Sequence, residues 1–236
     1  MESTKTRILK KLLETDGYLS GQELCEQLGV SRTAVWKYMK QLKEEGYEIE
    51  AVQNKGYCLK DVPDVLGESE IKSRLHTRWA GQTLYYYDEI DSTNTQIKRL
   101  AEEDAPHGTL AVADYQSRGK GRRGRAWDSP HGSAIYMSIL FRPEIRPDRA
   151  SMLTLVIGLS VTQAIRSNLG LQAQIKWPND VVLNGKKLVG ILTEMSAQMN
   201  YIEYLVTGIG INANLREFPE ELEDKATSCL LYTSDA

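Results

Sequence analysis

The pattern of apolar residues changes near residue 62, and this change limits the folds that the chain can adopt. Before this point, apolar residues recur at helical spacing in short segments that end at glycine. After it, strand-like apolar runs alternate with two helical segments. The connecting segment 61–64 is polar and contains the helix-breaking Pro63. We therefore predict an α+β protein with a small domain at 1–62 and a larger domain at 65–228.

The small domain has the pattern of three short helices. Apolar residues between positions 8 and 13 predict the first helix. Ser20, followed three residues later by a glutamate, predicts the start of a second helix that ends at Gly29. Ser31 is placed to cap a third helix that runs to about Glu45. The short turn between the second and third helices is typical of a helix-turn-helix.

The third predicted helix separates its apolar residues from its basic ones. Positions 35, 38, 39 and 42 are apolar and share one face, which should pack on the first two helices. The segment 31–43 holds four basic residues and no acidic one, whereas residues 1–60 hold 10 basic and 9 acidic side chains. A one-sided basic helix suits the major groove of DNA. The predicted DNA-binding segment is Gly21 to Lys40, with an exposed face that contains Ser31, Arg32, Thr33, Trp36, Lys37 and Lys40.

A predicted β-hairpin follows the third helix and would form a wing. Residues 47–52 alternate with period two, residues 53–56 are turn formers, and residues 57–59 suit a returning strand. The alternative is a solvated helical hairpin whose basic face only maintains solubility. The capped helices, the short turn and the hairpin together favour a winged helix-turn-helix that binds DNA.

Charge and cysteine usage exclude several classes of protein. The net charge of −3 excludes a uniformly basic nucleic-acid coat but leaves room for local basic faces. The three cysteines form no C-x-x-C pair, which argues against a disulfide framework or a zinc site. The most apolar stretch, 152–165, is shorter than the roughly 18 residues of a membrane helix, and the charged start is unlike a signal peptide. We therefore expect a cytoplasmic protein with no membrane segment and no bound structural metal.

The larger domain is predicted to combine helices with a mixed β-sheet. Asn184-Gly185 is typical of a two-residue hairpin turn. Because several strands connect by hairpins rather than helical crossovers, a mixed sheet is favoured over a doubly wound one. We predict helices at 95–105 and 152–169, the second of them largely buried, and strands at 84–87, 110–115, 135–141, 174–177, 181–183, 188–194 and 201–211.

The segment 118–125 holds five cations and three glycines in eight residues. Glycine lets the backbone approach a ligand and expose its N–H groups, while the cations attract phosphate or carboxylate groups. We expect the loop to become ordered when an anion binds. A solvated basic loop and a strip that contacts nucleic acid are the alternatives. The segment lacks the G-x-x-x-x-G-K-[ST] pattern of a Walker A loop.

Three further motifs place polar residues at predicted strand ends. Lys176 is followed by Trp-Pro-Asn-Asp, and a lysine held by the nearby proline suits the stabilisation of developing negative charge. The motif 91–94, Asp-Ser-Thr-Asn, offers donors and acceptors to a small polar group. Turn residues and a helix cap are the respective alternatives. The motif 208–213 has the spacing G-x-G-x-x-A, but no helix is predicted after it, so we interpret it as close backbone approach to a ligand rather than a dinucleotide site.

Together these motifs resemble those of the biotin protein ligases. The resemblance is carried by 91–94, 115–116, 118–127, 176–180, 187–192 and 208–212. With the winged helix, the chain resembles the bifunctional members that also repress biotin genes. The resemblance implies a class II synthetase-like catalytic domain that uses biotin, ATP and Mg²⁺ to form biotinyl-5′-AMP. It also implies transfer of biotin to a lysine of the biotin carboxyl carrier domain of a carboxylase.

The resemblance implies roles for individual residues. Lys176 and Arg122 would be catalytic, and Trp127 and Asn212 would stack on adenine and read it. The family usually has arginine at the position of Lys120. A lysine there keeps the positive charge but cannot form the bidentate hydrogen bonds of an arginine. Biotin would be bound by Ser92, Thr93, Asn94, Gln116, Lys120, Gly121, Arg122 and Lys176. The adenylate would be bound by Arg118, Gly119, Arg123, Arg125, Trp127, Asn179 and Asn212.

The resemblance also implies that the adenylate regulates DNA binding and that this chain is shorter than its family members. In the family the adenylate is the corepressor, because it favours a homodimer whose two winged helices span operator DNA. The family continues beyond Ser228 with a helix and an SH3-like domain, which we expect to be absent, and 229–236 would be a tail foreign to the family that marks a truncated or misread gene end. A biotin-responsive regulator without effective ligase activity and a lipoate ligase are the alternative functions.

Overall fold

The computed structural model describes residues 3–233 and divides the chain into two compact units, one ending at His76 and the other beginning at Thr77. The first unit confirms the predicted winged helix-turn-helix. Gly29, with φ of 67°, ends the second helix, and the Ser31 hydroxyl accepts a hydrogen bond from the backbone N–H of Ala34 at 3.2 Å. Its elements are α1 (Thr4–Glu14), α2 (Gly21–Leu28), α3 (Arg32–Glu44) and the antiparallel strands β1 (Glu48–Val52) and β2 (Gly56–Asp61).

The core of the first unit forms where the apolar stripes of its three helices meet. Val35, Met39 and Leu42 of α3 are buried, as the helical spacing predicted. They pack in one cluster with Leu9 of α1 and Leu24 of α2. The basic face of α3 is therefore turned away from the core.

A fourth helix, α4 (Glu68–Arg74), was not predicted and belongs to the first unit. It packs on α1, where the Thr6 hydroxyl donates to Ser69 Oγ at 3.4 Å, and the Tyr47 hydroxyl donates to the carboxylate of Glu70. Because these contacts tie α4 to residues before Pro63, the boundary between the units follows His76 rather than residues 62–65.

The second unit contains a seven-stranded mixed sheet, as predicted. Its strand order is β3-β4-β5-β9-β8-β7-β6, in which only β3 and β4 run parallel. The turn between β7 and β8 is the predicted Asn184-Gly185 pair, with φ of 50° and 82°. The elements are β3 (Leu84–Ile90), α5 (Thr93–Glu102), β4 (Leu110–Gln116), β5 (Ala134–Phe141), α6 (Ala150–Leu169), β6 (Gln174–Lys176), β7 (Asp180–Leu183), β8 (Lys186–Ala197) and β9 (Ile202–Asn212).

Helix α6 is less buried than its composition predicted. Val161 and Ile165 pack in the core against residues of β7 and β8, but Leu159 is 49% exposed and Val156 is 54% exposed. By length and composition alone, the helical segment Pro147–Leu169 is long and apolar enough to cross a membrane, with a mean hydropathy of 1.2. This helical segment is therefore longer than the apolar stretch 152–165 that the sequence analysis considered. Its buried face nevertheless packs on a sheet, as in the core helices of globular domains.

The described part of the predicted tail is packed against the second unit. Cys229 is buried in the same apolar cluster as Val161, and its backbone N–H donates to the carbonyl of Asn212 at 3.0 Å. The backbone N–H of Leu230 donates to the carbonyl of Ala213 at 2.8 Å. A 3-10 turn, Leu230–Tyr232, follows, and residues 234–236 of the predicted tail lie outside the described residues.

Candidate active site

A cavity of about 300 Å³ opens where the end of β4 and the start of α5 face the central strands β8 and β9. It is lined by residues from motifs that are more than a hundred residues apart in the sequence, from Ser92 to Gly210. Most of the residues predicted to bind biotin or the adenylate line this cavity. They are Ser92, Thr93, Asn94, Gln116, Lys120, Gly121, Arg122, Arg123, Arg125, Trp127 and Asn179.

The floor of the cavity is a chain of directed hydrogen bonds. Gln116 accepts from the backbone N–H of Thr93 at 2.9 Å through Oε1 and donates to Ser129 Oγ at 3.0 Å through Nε2. Ser129 in turn donates to the carbonyl oxygen of Trp127 at 3.0 Å. These bonds fix which end of the Gln116 amide is the donor.

Ser92 occupies the N-cap position of α5 but does not cap it. It is 2% exposed, and its side chain makes no capping hydrogen bond. The helix-cap interpretation therefore fails for this residue. Because Ser92 lines the cavity, its hydroxyl is available to a polar group of a ligand.

Asn94 lies at the centre of a second polar network. Its Nδ2 donates to Glu194 Oε2 at 2.8 Å, and Glu194 Oε1 accepts from Lys98 Nζ at 2.6 Å. Its Oδ1 accepts from Ser138 Oγ at 2.6 Å. Burial opposes ionisation of Glu194, but the hydrogen bonds from Lys98 and Asn94 hold the pKa of its carboxyl below its ordinary value. Glu194, Lys98 and Ser138 were not predicted as site residues.

The loop 118–125 folds back on itself beside the cavity. The backbone N–H of Gly121 donates to the carbonyl of Arg125 at 2.7 Å, and Lys120 Nζ donates to Thr95 Oγ1 at 2.9 Å. Arg122 Nη1 donates to Asn179 Oδ1 at 3.4 Å, which connects the loop to the turn before β7. The arginines of this loop are exposed, so their charges remain available to an anionic ligand.

Trp127 lies across the sheet on two paired glycines. Gly190 of β8 is the register partner of Gly210 of β9. A Cβ atom would lie 2.5 Å from the indole ring at Gly190 and 2.8 Å from it at Gly210, so only glycine leaves room for the ring. The indole N–H is buried and has no partner among residues 3–233. A hydrogen-bond acceptor on a ligand in the cavity would satisfy it.

Lys187, not Lys176, is the strand lysine that lines the cavity. Lys187 Nζ lies 2.7 Å from Asp180 Oδ1 and 5.2 Å from the centroid of the Trp127 ring. Lys176 is exposed at the end of the edge strand β6 and does not line the cavity. The catalytic role of Lys176 therefore stays a prediction, whereas the cavity lining adds Lys187 as a candidate. The sequence signal for Lys187 was present, because it begins the motif 187–192.

Three other predicted residues lie outside the cavity. Asn212 is 7% exposed, and its amide donates to the carbonyl of Thr227 at 3.0 Å, which uses the group that was expected to read adenine. Gly119 packs so tightly against the carbonyl oxygen of Trp127 that a Cβ would lie 2.2 Å from it. Arg118 is exposed beside this glycine. The ligand contacts expected of Gly119 and Asn212 therefore stay predictions, and the structure shows only their contacts with backbone carbonyls.

The predicted DNA-binding face of the first unit is exposed. Trp36 is 60% exposed at the middle of α3. Arg32 Nη2 donates to Gln22 Oε1 at 2.7 Å, which holds the guanidinium at the N-terminal ends of α2 and α3. The remaining members of the face are also exposed, namely Ser31, Thr33, Lys37 and Lys40.

Among the residues described, no group of three or more His, Cys, Asp and Glu side chains is arranged to hold a metal ion. The carboxylate nearest the cavity cations is that of Asp180, which is paired with Lys187. Five cations therefore line the cavity against one lining carboxylate, so the cavity favours anions.

Comparison with known proteins identifies both units. The biotin/lipoate A/B protein ligase family matches residues 86–212, which is more than half of the chain. The chain belongs to this family. A helix-turn-helix (HTH) domain matches residues 4–58 of this ligase-family chain.

Relatives of known function and structure agree with this assignment to the biotin/lipoate ligase family. The chain is 47% identical over 97% of its length to the bifunctional ligase/repressor BirA of Bacillus subtilis, and 35% identical over 89% to that of Escherichia coli. The biotin protein ligase of Aquifex aeolicus, solved in complex with biotin and ATP, is 39% identical over 65% of the chain with a TM-score of 0.56. The chain spans 71%, 64% and 62% of the lengths of these three proteins, respectively.

Proposed function

We propose that this chain is a biotin protein ligase that also represses transcription. It joins biotin to ATP to form biotinyl-5′-AMP and transfers biotin to a lysine of a biotin carboxyl carrier domain. The observation that carries this proposal is the cavity, in which a polar floor of directed hydrogen bonds adjoins five cations and two bare glycines. The floor suits a small polar ring, the cations suit a phosphate, and the glycines leave room for a planar ring.

In the first half-reaction, an oxygen of the biotin carboxylate attacks the α-phosphorus of ATP, and the bond to pyrophosphate breaks. Negative charge grows on the phosphoryl oxygens during this step. Lys187, Arg122 and Arg125 line the cavity and would stabilise that charge. Mg²⁺ would arrive with the phosphates of ATP, because few ligands of such an ion need come from protein.

In the second half-reaction, the amine nitrogen of the carrier lysine bonds to the acyl carbon, and the bond from that carbon to AMP breaks. The proton of the amine passes to solvent. The Lys187 ammonium, held by Asp180 at 2.7 Å, would stabilise the departing phosphate. The same fixed cation thus serves both half-reactions.

The repressor activity would reside in the first unit. The exposed basic face of α3 suits a major groove, and the wing formed by β1 and β2 suits the adjacent backbone. Biotinyl-5′-AMP would act as corepressor by favouring a homodimer that spans two operator half-sites. We expect a protein with these activities to act in the cytoplasm.

Biotin-dependent exchange of labelled pyrophosphate into ATP tests the ligase proposal. We expect exchange that requires biotin and Mg²⁺, because the first half-reaction is reversible. A folded protein that shows no exchange would contradict the ligase activity. Replacing biotin with lipoate in the same assay excludes a lipoate ligase if exchange is lost.

Transfer of labelled biotin to a carrier domain separates a ligase from a regulator that only binds biotin. We expect one labelled lysine for each carrier domain. Operator binding, measured with and without biotin and ATP, tests the repressor activity in the same preparation. Biotin-dependent operator binding without transfer would favour the regulator.

A further inference from the structure

The network around Asn94 contains a carboxylate that has no assigned role. Glu194 lies on β8, and its two oxygens accept from Asn94 Nδ2 at 2.8 Å and from Lys98 Nζ at 2.6 Å. Asn94 is a cavity residue and 3% exposed. Burial of an ion pair is unfavourable because both charges lose solvation, so a half-buried pair beside the ligand site suggests a functional role.

The carboxylate determines which end of the Asn94 amide faces it. An ionised carboxylate is only an acceptor, so it selects the NH₂ group and repels the carbonyl oxygen. The second N–H of Asn94 points toward the carbonyl oxygen of Leu192 at 3.4 Å. Both N–H groups of the amide are thereby directed at protein acceptors, so only the oxygen, Oδ1, remains to face the rest of the site.

The orientation of Asn94 sets the direction of the neighbouring hydroxyl groups. Ser138 is fully buried and lies 2.6 Å from Asn94 Oδ1 and 2.7 Å from Thr93 Oγ1. Ser138 has one hydrogen, and Oδ1 can only accept, so this hydrogen goes to Asn94. The hydrogen of Thr93 must then lie in its 2.7 Å contact with Ser138, rather than in the longer 3.1 Å contact with Gln116 Oε1. A single carboxylate thus orders donors and acceptors along the floor of the cavity.

The position of Gly208 holds the amide in place. A Cβ at Gly208 would lie 2.1 Å from Asn94 Oδ1, so the amide is packed against bare backbone. Gly208 and Asn94 both line the cavity. The lone pair of Oδ1 that Ser138 leaves free is the group that Asn94 can offer to a ligand.

We propose that Glu194, paired with Lys98, is a positioning residue that makes Asn94 a hydrogen-bond acceptor and so selects a ligand ring carrying an N–H at this point. The inference rests on the proposed function, since the ureido ring of biotin is the ligand in question. Glu194 touches no substrate and acts through Asn94.

The test measures affinities for biotin and for two analogues, each with one ureido N–H replaced by an oxygen atom. In the wild type, one of the two analogues should bind about tenfold or more weakly than biotin, because an oxygen then faces Asn94 Oδ1. In Glu194→Gln, the new amide can donate to Asn94 Oδ1, which lets the Asn94 amide turn over. The ratio of the affinity for biotin to the affinity for that analogue should then fall toward one.

A swapped pair provides the decisive variant. In Glu194→Gln combined with Asn94→Asp, the glutamine donates and the aspartate can only accept, so the cavity again presents an acceptor. The preference for biotin should return. A residue with a merely structural role would not give this rescue. The swapped pair also keeps the hydrogen bond between the two positions, so it tests the proposal even if Glu194→Gln alone does not fold.

Glu203→Gln is the matched control. Glu203 lies on the neighbouring strand β9, and hydrogen bonds from Ser196 and Gln198 likewise hold its pKa low, but it does not line the cavity. It should leave the preference unchanged. If Glu194→Gln binds biotin with an unchanged preference, the role proposed for Glu194 is wrong, but the proposed function is not contradicted. A folded wild type that binds no biotin would contradict the proposed function as well.

Discussion

At the scale of single residues, Lys187 and Lys176 are two candidates for the cation that stabilises developing negative charge, one indicated by the structure and one by the sequence motif. Lys187 lines the cavity and pairs with Asp180, whereas Lys176 is exposed on an edge strand. We expect Lys187→Gln to lower the rate of pyrophosphate exchange by about 100-fold, as loss of a charge-stabilising group typically does. Lys176→Gln should change it by no more than about twofold, as for other surface substitutions. A larger loss of exchange in Lys176→Gln than in Lys187→Gln would assign the catalytic role to Lys176 instead.

The paired glycines under Trp127 allow a second test at this scale. Gly190→Ala would place a Cβ 2.5 Å from the indole ring, so the ring must leave the sheet. We expect a longer wavelength of tryptophan emission and a rise of about tenfold in the KM for ATP, since stacking on a base contributes about 1–3 kcal/mol. The KM for biotin should change little.

Gly158→Ala is the control for this substitution. Its Cβ would meet no atom closer than Ile191 at 3.6 Å, and it lies within α6. It should be tolerated, and the free energy of unfolding should rise by up to about 1 kcal/mol, because alanine favours a helix over glycine. An effect on the KM for ATP as large as that of Gly190→Ala would show that the indole contact is not the cause.

At the scale of elements, α3 carries a prediction about DNA. Arg32 and Lys37 are exposed, and Arg32 donates to Gln22, which is also exposed. We expect Arg32→Ala and Lys37→Ala each to weaken operator binding and to lower the slope of log affinity against log salt by about 1 if the side chain contacts a phosphate. Pyrophosphate exchange should stay unchanged. A loss of exchange would show that the two activities share these residues.

Helix α6 carries the second prediction at this scale. Leu159 is 49% exposed, whereas Val161 is 7% exposed and packs against the sheet. We expect Leu159→Lys to change the free energy of unfolding by less than about 0.5 kcal/mol, as at an ordinary surface position. Val161→Lys should lower it by several kcal/mol, because it buries an unpaired charge. Denaturant unfolding of both variants measures the difference.

The elements also show what periodicity can and cannot predict. The winged helix, the mixed sheet and the Asn184-Gly185 turn followed from local pattern, since each depends on nearby residues. The exposed face of α6 did not, because apolar residues lie all around this helix and do not indicate which side meets the sheet. Helix α4 was missed because its seven residues give little periodic signal and its contacts with α1 are distant in sequence.

The site divides in the same way. Motif residues such as Ser92 and Gln116 were predicted, because they lie in compact signatures. Glu194 and Ser138 were missed, since they reach Asn94 across 100 and 44 residues of sequence and only the register of the sheet brings them together. Asn212 was predicted to read adenine, but the backbone carbonyl of Thr227 takes its amide.

At the scale of the whole molecule, each unit has its own apolar core. One cluster includes Leu9, Leu24 and Leu42, and the clusters of the second unit are formed by residues after His76. The residues that line the cavity all belong to the second unit. Ligand binding should therefore stabilise one unit and leave the other unchanged.

Thermal unfolding of the full chain with and without ligand tests this expectation. At a concentration of a hydrolysis-resistant biotinyl-AMP analogue about 100 times its Kd, the second unit should gain about 2.7 kcal/mol. Hydrogen exchange should slow in β8 and β9, while exchange in α1 and α2 keeps its rate. Equal protection of both units would mean that the ligand acts on the winged helix as well. That outcome would locate the coupling between adenylate and DNA within one chain, whereas protection confined to the second unit leaves it to the association of two chains.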